Sequence, residues 1–324
     1  MESSEQNPSR ENYTTVVEFI LISFSDVPEL QGFLFGVFLT IYATILMGNS
    51  LILIITKTDA SLQTPMYFFL GNFSFLEICF VSVTAPRLLA DLCRQNRNIS
   101  FVACAIQMYF FLILGATECF SLTVMAYDRY VAICNPLLYH LIMNNRFCIQ
   151  LAMVCWVSAI PLYTGFTYHV FSLSFCGPNE MNHFFCDIPP VVKLACGDIF
   201  MTEMFVYAIA VFVAATPFIL ILGSYVNIIS TILKLPSATG RAKAFSTCSS
   251  HLTVVILFFG SGIIVYFKPI SSPSTGMEKI LSLIYTIVIP MFNPMIYCLK
   301  NKDVMVALRR FLLKFKSIAF YSKA

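Results

Sequence analysis

Long stretches without a single charged residue constrain this chain more than any other feature. Uncharged runs occupy residues 30–56, 98–117, 147–179, 204–233, 244–267 and 280–299, and a seventh apolar segment, 65–92, is interrupted only by Glu77, Arg87 and Asp91. Crossing a hydrocarbon core takes about 20 mostly apolar residues in a helix. The run from residue 98 continues past one acid, Glu118, through 119–127, which gives one long span from about Cys104 to Ile133. The expected spans are 30–56, 65–90, 104–133, 147–167, 203–233, 243–267 and 279–299. Composition agrees, since 58% of residues are hydrophobic and 11% charged, and mean hydropathy is +0.79. These values exclude a soluble cytosolic enzyme. Twenty basic against 17 acidic residues leave no basic surface for nucleic acid.

Charge at the two ends assigns the sides. The first 29 residues carry six acids against Arg10, and from Lys300 onward seven basic residues face only Asp303. Positive charge favours the cytoplasmic side, and seven spans put the termini on opposite sides. The reading is an all-α membrane bundle with residues 1–29 as an extracellular tail, 30–299 as the bundle and 300–324 as a cytoplasmic segment. The acidic beginning does not read as a signal peptide. Asn12-Tyr13-Thr14 is a sequon on the expected outside, Asn98-Ile99-Ser100 a weaker one near the membrane, and Asn72-Phe73-Ser74 lies mid-span. Val304, Leu308, Phe311, Leu312 and Phe315 recur at helical spacing among basic residues, so an interfacial amphipathic helix is expected after span seven.

Ionisable residues at mid-membrane depth face an interior and usually mark function. Glu77 falls near the middle of span two and Glu118 near the middle of span three, where it shares a stripe with Phe111 and Arg129. Asn49 and Asn293 approach the same zone. The pair can hold a cation between carboxylates, or it can be two protonated, hydrogen-bonded acids with a packing role. Asp128-Arg129-Tyr130 ends span three, where the adjacent charges can pair locally. Asn293-Pro294-Met295-Ile296-Tyr297 ends span seven, where Pro frees a carbonyl. Cys104, Cys176, Cys186 and Cys196 lie on the expected outer side and suggest two bridges, with three pairings open. His169 and His183 beside them raise a metal site that disulfides make unnecessary.

The candidate ligand walls are apolar. Met108, Phe111, Leu112 and Gly115 descend span three; Val206, Ile209, Ala210 and Val213 lie on span five; Phe259, Gly262, Ile263 and Tyr266 share a face of span six. Leu283 and Thr286 close the site from span seven. Such a lining favours a small neutral, mostly apolar molecule oriented by one hydrogen bond from Tyr266 or Thr286. An ion-coupled transporter using Glu77 and Glu118 is the competing class, but inverted repeats and paired broken helices are missing. No catalytic motif indicates an enzyme.

The motifs themselves are specific. Gly48-Asn49, Pro65-Met66-Tyr67-Phe68-Phe69-Leu70, Met125 to Cys134 around Asp-Arg-Tyr, Ser224-Tyr225, Lys243 to Leu252 and Pro290 to Tyr297 together resemble the olfactory receptors, rhodopsin-like G-protein-coupled receptors, in their tetrapod class II form. The resemblance runs almost end to end. It implies a seven-helix rhodopsin-like fold that binds a volatile odorant and activates a stimulatory heterotrimeric G protein, raising cAMP, at the plasma membrane of olfactory neuron cilia. It implies bridges Cys104–Cys186 and Cys176–Cys196, and a switch at the inner face built on Asp128, Arg129, Tyr130, Tyr225, Asn293, Pro294 and Tyr297. It also matches Glu77 and Glu118 to a sodium site, with no other cofactor. Phe258-Phe259-Gly260 departs from the Phe-Tyr-Gly of many relatives, which removes a hydroxyl at Phe259.

Overall fold

The structure is a computed structural model describing residues 17–24, 28–94, 97–176, 178–234, 236–266 and 276–321. The sequon at Asn12 lies outside the described residues. Helices α1 (Pro28–Thr58), α2 (Pro65–Cys93), α3 (Phe101–Cys134) and α4 (Asn145–Phe171) are each continuous. Helix α5 covers Phe200–Leu233 and α6 Ala238–Tyr266. Helix α7 runs from Gly276–Leu283 through Ile284–Val288 into Ile289–Lys300, and α8 is Lys302–Tyr321. Seven of these are long and apolar enough to cross a membrane. A membrane interior offers backbone groups no partner, so each crossing segment must satisfy its own, as a helix does.

Local chemistry sets the ends. Pro65 opens α2 after Thr64, a position where the missing N–H costs nothing. The Ser100 hydroxyl accepts from the Ala103 N–H at the start of α3, and Asn144 Oδ1 accepts from Phe147 N at 3.0 Å at the start of α4. Two spans contain a wide five-residue π turn, Val211–Ala215 in α5 and Ile284–Val288 in α7. Each lies just ahead of a proline, Pro217 and Pro290. A proline has no N–H for the carbonyl four residues back, so the helix widens there instead of keeping its regular ladder. In α5 the Thr216 hydroxyl donates to the Val211 carbonyl at 3.2 Å.

One end of the bundle is covered by a small sheet that the charge reading of the tail did not anticipate. Strand β1 (Glu18–Leu21) pairs antiparallel with β2 (Asn98–Ser100) and parallel with β3 (Glu180–Met181). Alternation turns Phe19 and Leu21 inward, where both are fully buried. Phe19 stacks on Phe101 at 5.9 Å and meets the edge of Phe175 at 5.6 Å. Disulfides Cys104–Cys186 and Cys176–Cys196 tie the same end together. The Asn98 side chain donates to Glu18 at 2.7 Å across the sheet, and Asn72 bonds its own helix at the Phe68 carbonyl.

At the opposite end Asn301 caps α8, its Oδ1 accepting from Asp303 N at 3.0 Å. Val304 and Ala307 are buried while Leu312 and Leu313 are exposed, and Arg310 pairs with Asp59 at 3.3 Å. Helices α1 and α7 approach so closely that a Cβ on Gly48 would stand 3.1 Å from Pro294.

Replacing Phe19 with alanine removes a buried ring held by two others and is expected to cost about 3–5 kcal/mol. The purified protein should therefore melt several degrees lower, whereas Phe33→Ala, at a ring 67% exposed on α1, should leave the melting temperature within about one degree. Equal effects of the two substitutions would show that the sheet is not part of the cooperative fold.

Candidate functional site

Between the helices, toward the disulfide end, lies a cavity of about 120 Å³. Its walls include Phe111, Leu112 and Gly115 from α3, Val206, Ile209, Ala210 and Val213 from α5, and Phe259, Gly262, Ile263 and Tyr266 from α6. Spacing along three amphipathic faces thus converges on one space. Phe80, Ala116, Cys119, Tyr163, Ile188, Ala214, Phe258 and Tyr285 complete it. None of these eight was named as a wall residue from sequence: the inward faces of α2, α4 and the loop depend on packing across the bundle, and Ala116, Cys119, Ala214, Phe258 and Tyr285 flank the expected stripes on α3, α5, α6 and α7. Met108, Leu283 and Thr286 lie outside the lining. Met108 is fully buried among its neighbours, and the Thr286 hydroxyl donates to the Ser282 carbonyl at 2.7 Å.

The polar end of the cavity differs from expectation. Tyr266 does not offer its hydroxyl to the open space but donates to Asp187, 3.1 Å away, and Tyr285 donates to the same carboxylate at 2.7 Å. The Ile188 N–H supplies a third donor at 2.8 Å. Asp187 is carried into the bundle by the adjacent Cys186, whose bridge to Cys104 fixes the loop against α3. Burial pushes the Asp187 carboxyl above its ordinary value, and the donors from Tyr285, Ile188 and Tyr266 oppose that rise. A buried carboxylate needs such donors, which is why both phenols are committed to it. Nearby, His183 Nδ1 lies 3.0 Å from the Phe185 carbonyl, and burial lowers its pKa from 6.5 to about 3. His169 bonds Thr202 at 3.1 Å. Among the described residues no cluster of three His, Cys, Asp or Glu side chains could hold a metal.

Deeper in the bundle Asn293 donates to Glu77. Glu77 Oε2, Glu118 Oε1, Asn293 Oδ1 and the Tyr297 hydroxyl are buried with no hydrogen-bond partner. Asn49 is buried too, but its amide donates to the Ile45 carbonyl of its own helix at 3.1 Å. The expected local pairing of Asp128 with Arg129 is not formed. Asp128 accepts from the Tyr139 hydroxyl at 2.9 Å, and Arg129 donates to Met66 Sδ, because adjacent residues on a helix point about 100° apart. Arg129, Tyr67, Tyr139, His251 and Tyr297 line a second cavity of about 800 Å³ at the end opposite the disulfides.

A histidine that the sequence motif contained without a role organises this region. His251 Nε2 lies 3.1 Å from the Leu122 carbonyl and Nδ1 2.8 Å from the Tyr225 hydroxyl. A carbonyl can only accept, so Nε2 carries the proton and Nδ1 takes the Tyr225 hydrogen. Helices α3, α5 and α6 are thereby linked through one ring. Tyr130 leans on Tyr127, with centroids 6.5 Å apart.

Seven spanning helices around an apolar cavity, with a second cavity at the far end, define a multi-pass membrane protein. A profile of the olfactory receptor family matches residues 38–315. Human olfactory receptor 10AG1 is 58% identical over 298 residues, covering 92% of this chain and 99% of that protein. Human olfactory receptors 10A4 and 5A1 are 53% and 46% identical, each covering 93% of this chain and 96% of their own length. The chain therefore belongs to the olfactory receptor family, and its function is that of an odorant receptor coupled to G proteins.

His183 gives a signed pH dependence. A histidine whose folded pKa is lowered binds fewer protons folded than unfolded between about 3 and 6.5, so stability is complete above that window and falls as pH drops into it. Acidification from pH 7 to 5 should remove about 2 kcal/mol through this group. Thermal melts of the wild type and His183→Gln should show the variant losing less over that interval. Parallel pH profiles would refute the assignment.

Proposed function

We propose that this receptor binds a small, neutral, mostly apolar volatile in the 120 Å³ cavity and activates a stimulatory heterotrimeric G protein, raising cAMP. The observation that carries this reading is the lining. Its members are apolar apart from three phenols and a thiol, and two of the phenol hydrogens, those of Tyr266 and Tyr285, already go to Asp187. A charged ligand would meet no charged side chain among the lining residues, and its desolvation would go unrepaid. An apolar cavity of roughly 150 Å³ is enough to hold benzene, so the size suits a short chain or a single ring.

The proposed orientation places the sheet and disulfides outside, where bridges persist, and basic α8 inside. The setting is the plasma membrane of olfactory neuron cilia. The 800 Å³ cavity at Arg129 then faces the cytoplasm, as a docking place for the G protein. A ligand shifts states only through differential affinity. Phe259 and Gly262 belong to the same helix as His251, so a ligand that repositions α6 acts directly on the Leu122–His251–Tyr225 link.

Sodium between Glu77 and Glu118 belongs to the same proposal. Three unpartnered hard oxygens, Glu77 Oε2, Glu118 Oε1 and Asn293 Oδ1, suit a hard cation and no soft one. Binding to the folded state alone stabilises it by mass action. The melting temperature should rise with sodium chloride more than with potassium chloride, and Glu118→Gln should erase the difference. An identical response of wild type and variant would remove sodium from this site.

The decisive experiment is cAMP production in cells carrying an olfactory-type stimulatory G protein, against a chemically diverse odorant panel. The wild type should respond in a dose-dependent way. Gly115→Leu, which fills the cavity beside Phe80, should weaken potency at least tenfold, and Arg129→Ala should abolish the response with surface expression retained. Full signalling by the Arg129 variant would overturn the assigned coupling face, and solute uptake in place of signalling would favour the transporter.

A further inference from the structure

The two ends of the cavity wall are unlike. From α2, α3, α4, α7 and the loop, the lining residues Phe80, Phe111, Tyr163, Ile188 and Tyr285 are all buried. Above them the path toward the disulfide end is filled by Phe184, Phe185, Cys186 and Asp187, none more than 1% exposed. Among the described residues, then, that route is shut by packed rings, a disulfide and a satisfied carboxylate.

The wall formed by α5 and α6 is different. Ile263 lines the cavity and is also 40% exposed on the outside of the bundle. Ile209, Ala210 and Gly262 line it and are partly exposed. A Cβ built on Gly262 would meet no atom of a neighbouring element within 4 Å, so α6 leaves open space beside this glycine. The wide turn Val211–Ala215 begins directly after Ala210, on the same side. Around the gap the outward residues are Phe212, Ile256 and Ile264, all exposed and apolar. In a spanning helix pair such residues face hydrocarbon chains.

We propose that the gap between α5 and α6, bounded by Ala210, Gly262 and Ile263, is a lateral portal through which ligand passes from the bilayer into the cavity. The proposal rests on the cavity being the ligand site and adds the route. The bilayer concentrates neutral apolar molecules, by about fourfold for each methylene added. A portal opening to lipid draws on that concentrated pool, whereas a water-facing mouth draws on the dilute one. The wall residues at the gap need only side-chain rearrangement to pass a small molecule, because no hydrogen bond and no salt bridge crosses it among the described residues.

The test uses the full chain in lipid nanodiscs. Trp156→Phe combined with Phe111→Trp places one indole on the inner cavity wall, and 1-bromoalkanes from three to six carbons serve as small neutral quenchers. Quenching at equal aqueous concentration should speed up about fourfold per methylene, following the bilayer pool. In that background Ile263→Phe should slow quencher entry and exit together by about tenfold, and Ile263→Ala should speed both. Melting temperatures within a few degrees of the parent confirm folding. Entry rates independent of chain length and of residue 263 would overturn the portal while leaving the pocket in place. A change in extent without a change in entry rate would make Ile263 a wall and not a gate, and would also overturn it. No quenching of the indole by any bromoalkane would refute the cavity as a ligand site and the portal with it.

Discussion

The backbone hydrogen bond in a medium that supplies no alternative partner governs everything else in this molecule. Inside hydrocarbon an unpaired N–H or C=O costs several kcal/mol, so long apolar stretches have one available form. Departures from the regular ladder become expensive and therefore local. The two wide turns sit where proline makes a regular turn unattainable, and in α5 the Thr216 hydroxyl adds a bond to the Val211 carbonyl. These irregularities fall on α5 and α7, and Ala210, which precedes the first, and Tyr285, within the second, are cavity residues. Space for a ligand arises where the ladder is already disturbed.

The same cost shapes the polar interior. Asp187 enters the bundle because a disulfide holds its neighbour against α3, and it persists there because three donors meet it. The resulting knot joins the loop to α6 and α7 directly over the cavity. Glu77 and Glu118 represent the opposite condition. Each keeps an oxygen without a protein partner, and a buried oxygen in that state asks for a proton or a cation. One carboxylate is structural because it is saturated, and the other two are available because they are not.

How far this could be read beforehand depends on the range of the cause. Span number and position follow from residues within one helix, so the uncharged runs located them. The cavity faces of α3, α5 and α6 follow from 3.6-residue periodicity, and eleven of the named wall residues converge on one space. Strand β1 escaped because its signal is four residues long and its partners lie some eighty and 160 positions away. The engagement of Tyr266 escaped for a related reason. A phenol on an inward face needs a partner, and nothing local tells whether that partner is a ligand or a carboxylate on a distant loop. His251 stood inside a quoted motif, yet its role depends on Leu122 and Tyr225 from two other helices.

These features bear jointly on how binding reaches the far end. The Asp187 knot holds the disulfide end of α6 against α7 and the loop, while His251 holds its other half against α3 and α5. Between the two anchors α6 carries Phe259, Gly260 and Gly262, and a Cβ on either glycine would meet nothing from neighbouring elements. A rod fixed at two points, with open space beside two glycines between them, can bend or rotate at those glycines at little cost in lost contacts. Glycine also lowers the intrinsic preference for the straight helix by about 1 kcal/mol relative to alanine. A ligand wedged against Phe259 and Gly262 therefore presses on the segment of α6 least able to resist, and the strain is relieved at whichever anchor is weaker. At one anchor α6 gives a single phenol, Tyr266, to the buried Asp187 carboxylate, and at the other the His251 imidazole makes two hydrogen bonds. Movement at the His251 anchor is the one that reaches the larger cavity, which Arg129 and Tyr297 line with it.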